Sequence, residues 1–498
     1  MSQGFERPVA PPEEAPRVSV GAATFFTFFA FVLFVLVWAW PEDAAWWSPE
    51  VSTLCAWLAV AIHVGFARKG LSAFDPRLWI PVCMLCFYFG MPVAIGLFDV
   101  PALEIKGYDA HDIGPPPELE RGFAVALLTL VAFLAGSHLA GFRSSIRSRI
   151  GPHDERDRML LGPGVCLMAG GVLMAALGVV VVGPKLLFGA YYQMMEARQF
   201  GAADFRLWGI GLAFAKGGVF AALAAHDPRR PFWTQVALGV GALCFFAEML
   251  AGSRGDMAGF GLAAGFVFSQ RVRHIPRWPV VIAFLVAFLF MPMIKEYRQL
   301  RRLQHTRSVS AGELMATTFY EMGNSVTPFT YTIHHIPRDK NYDFGGSILY
   351  AILWAIPNPT PTVGKSFSGD PIEHGPSKWY SWVANPSKYL YHGGGYGYAL
   401  GAEWYFNFGF PGVLLGMIFT GWGVSKIVNR SRASGLSLVA SALVLQSMVV
   451  LVRNNLGNPL KQASWPLIGL VVLRWAWPFR RPAPAVEHAL SSPPVRVE

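Results

Sequence analysis

The sequence contains, at residues 19–40, the stretch SVGAATFFTFFAFVLFVLVWAW, in which no side chain is charged. A helix of about 20 apolar residues is long enough to cross the hydrocarbon core of a bilayer. The stretch therefore predicts a transmembrane helix. The tail before it is acidic and contains prolines, and its end lacks a cleavage-like run of small residues, so we interpret it as an anchor that is retained.

The composition of the whole chain extends this interpretation. Of 498 residues, 53% are hydrophobic and only 14% are charged, whereas soluble domains carry about 25% charged residues. We therefore expect an all-α polytopic membrane protein. The net charge of +10 does not indicate a nucleic-acid partner, because the arginines lie between apolar segments and form no basic domain. The five cysteines also lie in apolar runs, without the spacing of a metal site.

Further apolar runs predict about twelve transmembrane helices in all. The candidates lie near residues 19–40, 50–67, 78–98, 121–141, 160–183, 207–225, 232–251, 256–270, 278–294, 408–425, 434–452 and 463–478. They define one transmembrane domain at residues 19–481. The flanking segments, residues 1–18 and 482–498, have the Pro-rich composition of disordered tails.

The orientation follows from the charges of the short loops, because loops rich in Arg and Lys stay in the cytoplasm. The basic loops carry, in chain order, Arg68, Lys69 and Arg77, then Arg143, Arg147, Arg149, Arg156 and Arg158, then Arg229 and Arg230, then Arg271, Arg273 and Arg277, then Lys426, Arg430 and Arg432. This alternation predicts that both termini are cytoplasmic. It also places the one long connection, residues 295–395, outside as a large periplasmic loop, and connections of that length are usually functional.

Cations at the start of this long loop break the charge rule. They are spaced three or four residues apart, and on a helix they would share one face: Lys295, Arg298, Arg301 and Arg302. Like charges at this spacing repel one another, and an anionic ligand would remove the repulsion. The planar fork of Arg suits phosphate. The alternative is that these cations only anchor a helix end to lipid headgroups.

Three further cations belong to the same predicted face. Arg254 lies in a turn between two glycines, where backbone and guanidinium can approach an anion closely, although an Arg254–Asp256 pair could equally close the turn. Arg453 and Lys461 flank the last external turn, and each alone could be a snorkelling anchor. Deeper in the membrane, Lys216 and Glu248 are expected to neutralise each other.

The most specific string in the chain is GGGYGYALGAEWYFNFGFPG at residues 393–412. Its glycines permit a close backbone approach, and Glu403 then enters the membrane interface among aromatic side chains. This carboxylate could act as a general base or could hold an arginine in place. Alternative bases in the long loop are His374, Asp370 and Glu373. Tyr396, Tyr398 and Asn407, in the same string, are candidates for binding the substrate.

Aromatic side chains of the long loop could also form platforms on which sugars stack. These are Trp379, Tyr380, Trp382, Tyr389 and Tyr391. The aromatic belts that lie at membrane interfaces have the same composition without any ligand. The composition alone therefore leaves both interpretations open.

Three features together resemble Wzy-type polymerases of O-antigen and exopolysaccharide repeat units. They are the Ser253-Arg254-Gly255 turn, the loop with Gly345-Gly346 and Ile356-Pro357, and the run from Ala402 to Gly409. They cover roughly the second half of the chain. The resemblance implies a GT-C-like membrane glycosyltransferase of the bacterial inner membrane that joins undecaprenyl-diphosphate-linked glycans on the periplasmic face.

The resemblance also implies roles for the candidate residues. Arg254 and the stripe of Arg298, Arg301 and Arg302, together with Arg453, would hold the donor diphosphate. Glu403 or His374 would orient or deprotonate the acceptor hydroxyl. No Asp-x-Asp motif is present, so we expect a metal-independent, inverting enzyme without a cofactor. Its partners would be lipid-linked glycans, membrane lipids and a chain-length regulator, with no nucleic acid.

Three alternatives stay open at this point. An O-antigen ligase-like enzyme would use the same donor with a similar large loop. A lipid-linked glycan flippase or transporter would need a cationic cavity that opens to both sides in turn, and no repeat of the two halves is visible. A non-catalytic scaffold of an assembly complex would leave the candidate arginines without a function.

Overall fold

The computed structural model of the protein describes residues 19–40, 48–67, 71–98, 118–142, 155–184, 205–280, 282, 311–356, 375–386 and 397–476. Within these ranges the regular elements are helices, and none of the described residues forms a strand. The expected all-α class is therefore confirmed for this part of the chain. The predicted tails at residues 1–18 and 482–498 lie outside the described residues.

The described helices are numbered here in chain order. They are α1 Val20–Trp38, α2 Pro49–Ala67, α3 Pro76–Phe98, α4 Leu119–Leu139, α5 Glu155–Arg158, α6 Leu161–Val182, α7 Arg206–Ala224, α8 Phe232–Ala251, α9 Arg254–Arg271, α10 Ala311–Gly323, α11 Thr327–His335, α12 Gly346–Ala355, α13 Pro376–Ala384, α14 Leu400–Arg430, α15 Gly435–Leu451 and α16 Gly457–Ala476. A single 3₁₀ turn, Asn324–Val326, joins α10 to α11.

Eight of the described helices are long and apolar enough to cross a membrane: α1, α2, α3, α4, α6, α7, α8 and α14. The predicted number of twelve is not confirmed. Three further candidate spans are helical but fall short, because α15 has 17 residues and α9 and α16 are more polar. The remaining candidate, residues 278–294, lies almost wholly outside the described residues.

The start of α14 differs most from the expectation. The sequence predicted a span that begins at residue 408, after the glycine-rich run, whereas the helix begins at Leu400. From Leu400 to Phe406 every residue except Trp404 is buried in the protein, so protein packing surrounds most of this segment. Gly409 then has a φ of +65° and interrupts the helix, a conformation that glycine adopts at little cost. Glu403 consequently lies inside a helix.

The core of the described bundle is α4, which is buried on almost every side. Small residues let α14 lie against it. A methyl group built on Gly136 would come within 1.9 Å of the Ile418 carbonyl oxygen, and one on Gly421 within 2.0 Å of the Phe133 oxygen. Membrane helices associate by such close backbone approach, because lipid supplies no hydrophobic driving force between them.

Helices α6 and α7 form a second close pair by the same means. A methyl group built on Gly171 would lie 2.3 Å from the Ala215 nitrogen, and one on Gly211 would lie 2.4 Å from the Ala175 nitrogen. The α7 helix also carries Lys216, whose Nζ lies 2.9 Å from Glu248 Oε1 of α8. The sequence-based expectation that these two intramembrane charges neutralise each other is therefore confirmed.

Buried charges fix the end of the bundle that lies away from Glu403. We call it the opposite end. There, Arg77 bonds Asp75 at 2.7 Å and Asn429 at 2.8 Å, so it links α3 to the last turn of α14. Asp157 accepts a hydrogen bond from Arg271 at 2.9 Å and another from the Gly435 backbone at 2.6 Å. Because the end of α9 and the start of α15 meet the same carboxylate, these two helices run antiparallel.

Replacement of Gly421 by Val should separate α4 from α14. We expect G421V to lower the free energy of unfolding by about 1–3 kcal/mol, the usual cost of overpacking. Thermal unfolding in detergent, followed by size-exclusion chromatography, measures the change. G423V is the matched control on the same helix, because a methyl group on Gly423 meets nothing within 4 Å. Equal stability of G421V and G423V would contradict the close approach of α4 and α14.

Candidate functional site

The other end of the bundle gathers the segments that carry the candidate residues, and we call it the site end. The Tyr88 hydroxyl of α3 donates to the Val452 carbonyl oxygen at 2.9 Å. A methyl group on Gly401 of α14 would lie 2.2 Å from Thr129 Oγ1 of α4. Since α9 and α15 are antiparallel, the start of α9 lies at this end together with the turn after α15.

Glu403 lies in the first turn of α14 and is only 2% exposed. One carboxylate oxygen accepts a hydrogen bond from the Ser347 hydroxyl at 3.1 Å, and the other accepts from the Leu456 backbone N–H at 2.8 Å. Among the described residues, no Lys or Arg forms an ion pair with it. The carboxylate therefore joins α14 to α12 and to the turn that precedes α16.

Asn407, one turn further along α14, completes this connection. Its amide donates to Ser347 Oγ at 2.7 Å and to the Glu403 carbonyl oxygen at 2.7 Å, while its Oδ1 accepts from the Gly345 backbone at 2.9 Å. Gly345 has a φ of +92°, a left-handed conformation that places the start of α12 against this amide. Together these bonds satisfy the buried polar atoms of Asn407.

Tyr398 precedes α14 and is fully buried. Its hydroxyl lies 2.6 Å from Thr332 Oγ1 of α11, and its backbone N–H donates to the Arg453 carbonyl oxygen at 3.0 Å. Burial raises the pKa of this phenol well above its ordinary value, so it stays neutral. In this arrangement Tyr398 packs three segments together, and its role in binding a glycan stays a prediction.

The two predicted cations after α15 both contact aromatic rings. The guanidinium of Arg453 is exposed and lies 5.8 Å from the centre of the Phe87 ring. Lys461 Nζ lies 4.3 Å from the centre of the Trp465 ring and 5.5 Å from that of Trp354. Cations over aromatic faces gain electrostatic attraction. Both side chains belong to the site end.

Several predicted site residues cannot be placed. For Arg254 the structure describes only the backbone, which begins α9 at the site end. The other candidates outside the described part of the chain are Lys295, Arg298, Arg301, Arg302, Asp370, Glu373, His374 and Tyr396. Whether these arginines converge with Glu403, Asn407 and Arg453 therefore stays a prediction.

The five candidate aromatic side chains of the long loop fall into three groups. Trp379 and Tyr380 of α13 are buried, the first against the Phe406 ring at 5.4 Å and the second against the Tyr331 ring at 5.5 Å. Trp382 is partly exposed. Tyr389 and Tyr391 lie outside the described residues. Two of the five candidates for a sugar platform are thus part of the core.

A set of charged residues at this end escaped the analysis of the sequence. The carboxylate of Glu118, beside α4, lies within 3.3 to 3.6 Å of nitrogen atoms of His334, Arg338 and Arg121. The segment HHIPRDK at residues 334–340 could have been noticed as a polar run that follows an apolar one. The proximity of this segment to residues 118–121 could not have been noticed, because about two hundred residues separate the two segments in the sequence.

No group of three or more His, Cys, Asp or Glu side chains in the described residues has the geometry to hold a metal ion. The described site end thus consists of a buried carboxylate clamp, cations over aromatic rings and a second set of charges around Glu118. Such an arrangement can bind anions and can hold a hydroxyl group near a carboxylate.

Replacement of Asn407 by Ala should loosen α12. Three hydrogen bonds are lost and buried partners are left unsatisfied, so we expect the free energy of unfolding to fall by about 2–4 kcal/mol. N454A is the control, because among the described residues the side-chain amide of Asn454 donates only to the Val450 oxygen, at 3.2 Å. Thermal unfolding and limited proteolysis of residues 340–356 report the effect, and equal behaviour of both variants would contradict it.

Comparison with known proteins supplies one match. The family model described as O-antigen polysaccharide polymerase Wzy matches residues 240–476. No curated protein matches the chain, and no solved structure does. Helices α9 to α16, with Glu403, Asn407 and Arg453, lie wholly inside the matched region. The resemblance to the Wzy-type polymerases that the sequence indicated is therefore confirmed over residues 240–476.

Proposed function

We propose that the protein polymerises undecaprenyl-diphosphate-linked oligosaccharide repeat units on the periplasmic face of the bacterial inner membrane. The family match supports a polysaccharide polymerase, and eight apolar helices support a multi-pass membrane protein. The periplasmic location of the site end and the cytoplasmic location of both termini rest on the charges of the loops.

The observation that carries the proposal is the meeting of three matched segments at one end of the bundle. The first turn of α14 bonds the turn before α16 through Glu403 and Leu456. The α9 helix packs against α15, where Gly259 lies close to the Gln446 carbonyl oxygen. The backbone of Arg254 and the side chain of Arg453 therefore belong to the same end, as a shared diphosphate site requires.

The reaction consists of a single displacement. The hydroxyl oxygen of the incoming repeat unit attacks the anomeric carbon of the growing glycan, the bond from that carbon to the diphosphate oxygen breaks, and the hydroxyl proton passes to a base. Undecaprenyl diphosphate leaves with the electron pair. One displacement at the anomeric carbon inverts its configuration.

Arginines are the proposed binding groups for the donor diphosphate: Arg254, Arg298, Arg301, Arg302 and Arg453. Each guanidinium presents two parallel N–H donors to a phosphate. Negative charge on the leaving diphosphate grows as the glycosidic bond breaks. Cations already positioned around it stabilise the transition state more than the ground state, and this lowers the barrier.

Glu403 and His374 are the proposed bases. In the described arrangement the carboxylate of Glu403 is occupied by Ser347 and Leu456, so it would accept the acceptor's proton only after exchanging the Ser347 hydrogen bond for one from the sugar hydroxyl. Ser347 and Asn407 would retain each other through their 2.7 Å contact. The clamp and the base are thus compatible roles of one side chain.

The direct test uses purified protein and defined undecaprenyl-diphosphate repeat units. We expect a ladder of products, whereas a ligase-like enzyme or a flippase would make none. R254Q should slow the ladder by about 10²–10³-fold, the usual cost of removing one group that stabilises developing charge, and R254K should restore part of the rate. R158Q, at the half-exposed Arg158 of the opposite end, is the control. Stable insertion of R254Q with full-length polymer would support a scaffold instead.

Activity should survive removal of divalent cations, because arginines take the place of a metal ion at the diphosphate. We expect the ladder to form at an unchanged rate after treatment with EDTA. The control restores Mg²⁺ or Mn²⁺ after the chelator and compares the rates. If the rate of ladder formation falls after EDTA treatment and returns when the metal is added, the metal-independent mechanism is wrong.

A further inference from the structure

The first turns of α14 separate two sets of polar side chains at the site end. Glu403 and Asn407 face α12 and the turn before α16. Tyr405 faces elsewhere, since its hydroxyl donates to the Ile336 carbonyl oxygen at 3.3 Å, and Lys340 Nζ lies 5.3 Å from the centre of the Phe406 ring. A second polar region therefore lies on the side of α14 that faces α4 and the end of α11.

Nitrogen atoms of three side chains converge there on one carboxylate. Arg121 Nη1 lies 3.5 Å from Glu118 Oε2, while His334 Nδ1 and Arg338 Nη2 lie 3.3 Å and 3.6 Å from Oε1. Charge-assisted hydrogen bonds are usually about 2.7–2.9 Å long. All three contacts are longer, so Glu118 is a poor fit to the donors that surround it.

Two further observations concern Arg121 and Glu118 themselves. The Nε atom of Arg121 is buried, and among the described residues it meets no hydrogen-bond acceptor; its guanidinium instead lies 5.1 Å from the centre of the Phe410 ring. Glu118 itself has a φ of +52°, a left-handed conformation that costs energy for a residue with a side chain. The guanidinium of Arg121 thus has a donor without an acceptor in the described part of the chain, and it lies beside a residue with a strained backbone. An anion that fits these donors better can replace the carboxylate of Glu118.

The charges favour an anion as the ligand. Arg121, Arg338 and Lys340 contribute cationic side chains, whereas among the described residues the carboxylates in contact with these side chains or with the neighbouring histidines are those of Glu118 and Asp339, and Asp339 pairs with His335. Phosphate esters present more acceptor oxygens than a carboxylate and match the guanidinium fork. Arg338 is 44% exposed, so a ligand from outside can reach the cluster.

We propose that Arg121, His334 and Arg338 form a second anion site that takes a membrane-anchored phosphate ester, with Glu118 as an internal placeholder. This inference rests on the proposed function for its natural ligand. A polymerase must hold two lipid-linked molecules at once, and each carries a diphosphate. The site around Arg254 and Arg453 takes the donor, and the Glu118 site takes the diphosphate of the acceptor.

The test measures binding of a labelled prenyl diphosphate, geranylgeranyl diphosphate, to the full chain in nanodiscs of phosphatidylcholine. E118Q removes the placeholder's charge, so we expect affinity to rise at least three-fold. R338Q should lower affinity for the same site at least ten-fold, and R158Q should change nothing. If Glu118 only made a structural contact, E118Q would not bind the prenyl diphosphate more tightly. Thermal unfolding of each variant establishes that it is folded.

Unchanged or weaker binding by a folded E118Q, or wild-type affinity in R338Q, overturns the site. A second arm adds phosphatidylglycerol to the nanodiscs. Competition as strong as that of the prenyl diphosphate itself would assign the site to lipid headgroups and overturn the acceptor role. The binding assay is independent of polymerisation, so a protein that makes no ladder but responds to E118Q refutes the proposed function and retains the anion site.

Discussion

Glu403 is shielded from water, and a carboxylate in that position is tolerated only where hydrogen-bond donors meet it. The donors come from Ser347 of α12 and from the backbone of Leu456, which are distant in sequence from Glu403 and from each other. Burial of this carboxylate without hydrogen-bond donors would cost free energy. This cost therefore holds the three segments in one arrangement. Asn407 reinforces them by bonding Ser347 and Gly345. The candidate site depends on this arrangement, because it places the Arg453 turn and the start of α14 side by side.

The same helix start also divides the site end into two regions. Glu403 and Asn407 hold one side. On the other side Phe406 and Phe410 present aromatic faces to Lys340 and Arg121, and Tyr405 bonds the Ile336 carbonyl oxygen. A polymerase that joins two lipid-linked chains needs two places for phosphate at the membrane surface, and it needs the reacting groups between them. A short buried carboxylate clamp between two cationic regions has this form, and the proposed mechanism uses each part once.

Long apolar runs were predicted well because their signal is local. The helices α1, α2, α4, α6, α7 and α8 begin and end within a few residues of the predicted spans. The prediction failed for α14, where burial by protein rather than lipid extends the helix across a glycine-rich string. The pair of Lys216 and Glu248 was predicted correctly, since two opposite charges in a membrane have few other partners. The cluster around Glu118 was missed because residues near 118 and near 338 meet only after the chain has crossed the bundle several times.

By itself the sequence determined that the protein is helical, that it lies in a membrane and that its second half resembles a polymerase, because hydropathy and short motifs depend on neighbouring residues. Only the tertiary structure decided which oxygen atoms of Glu403 are occupied, which rings lie in the core and which cations surround Glu118. Those facts depend on contacts between segments far apart in the chain, where close packing at glycines and the cost of unsatisfied buried groups select one arrangement.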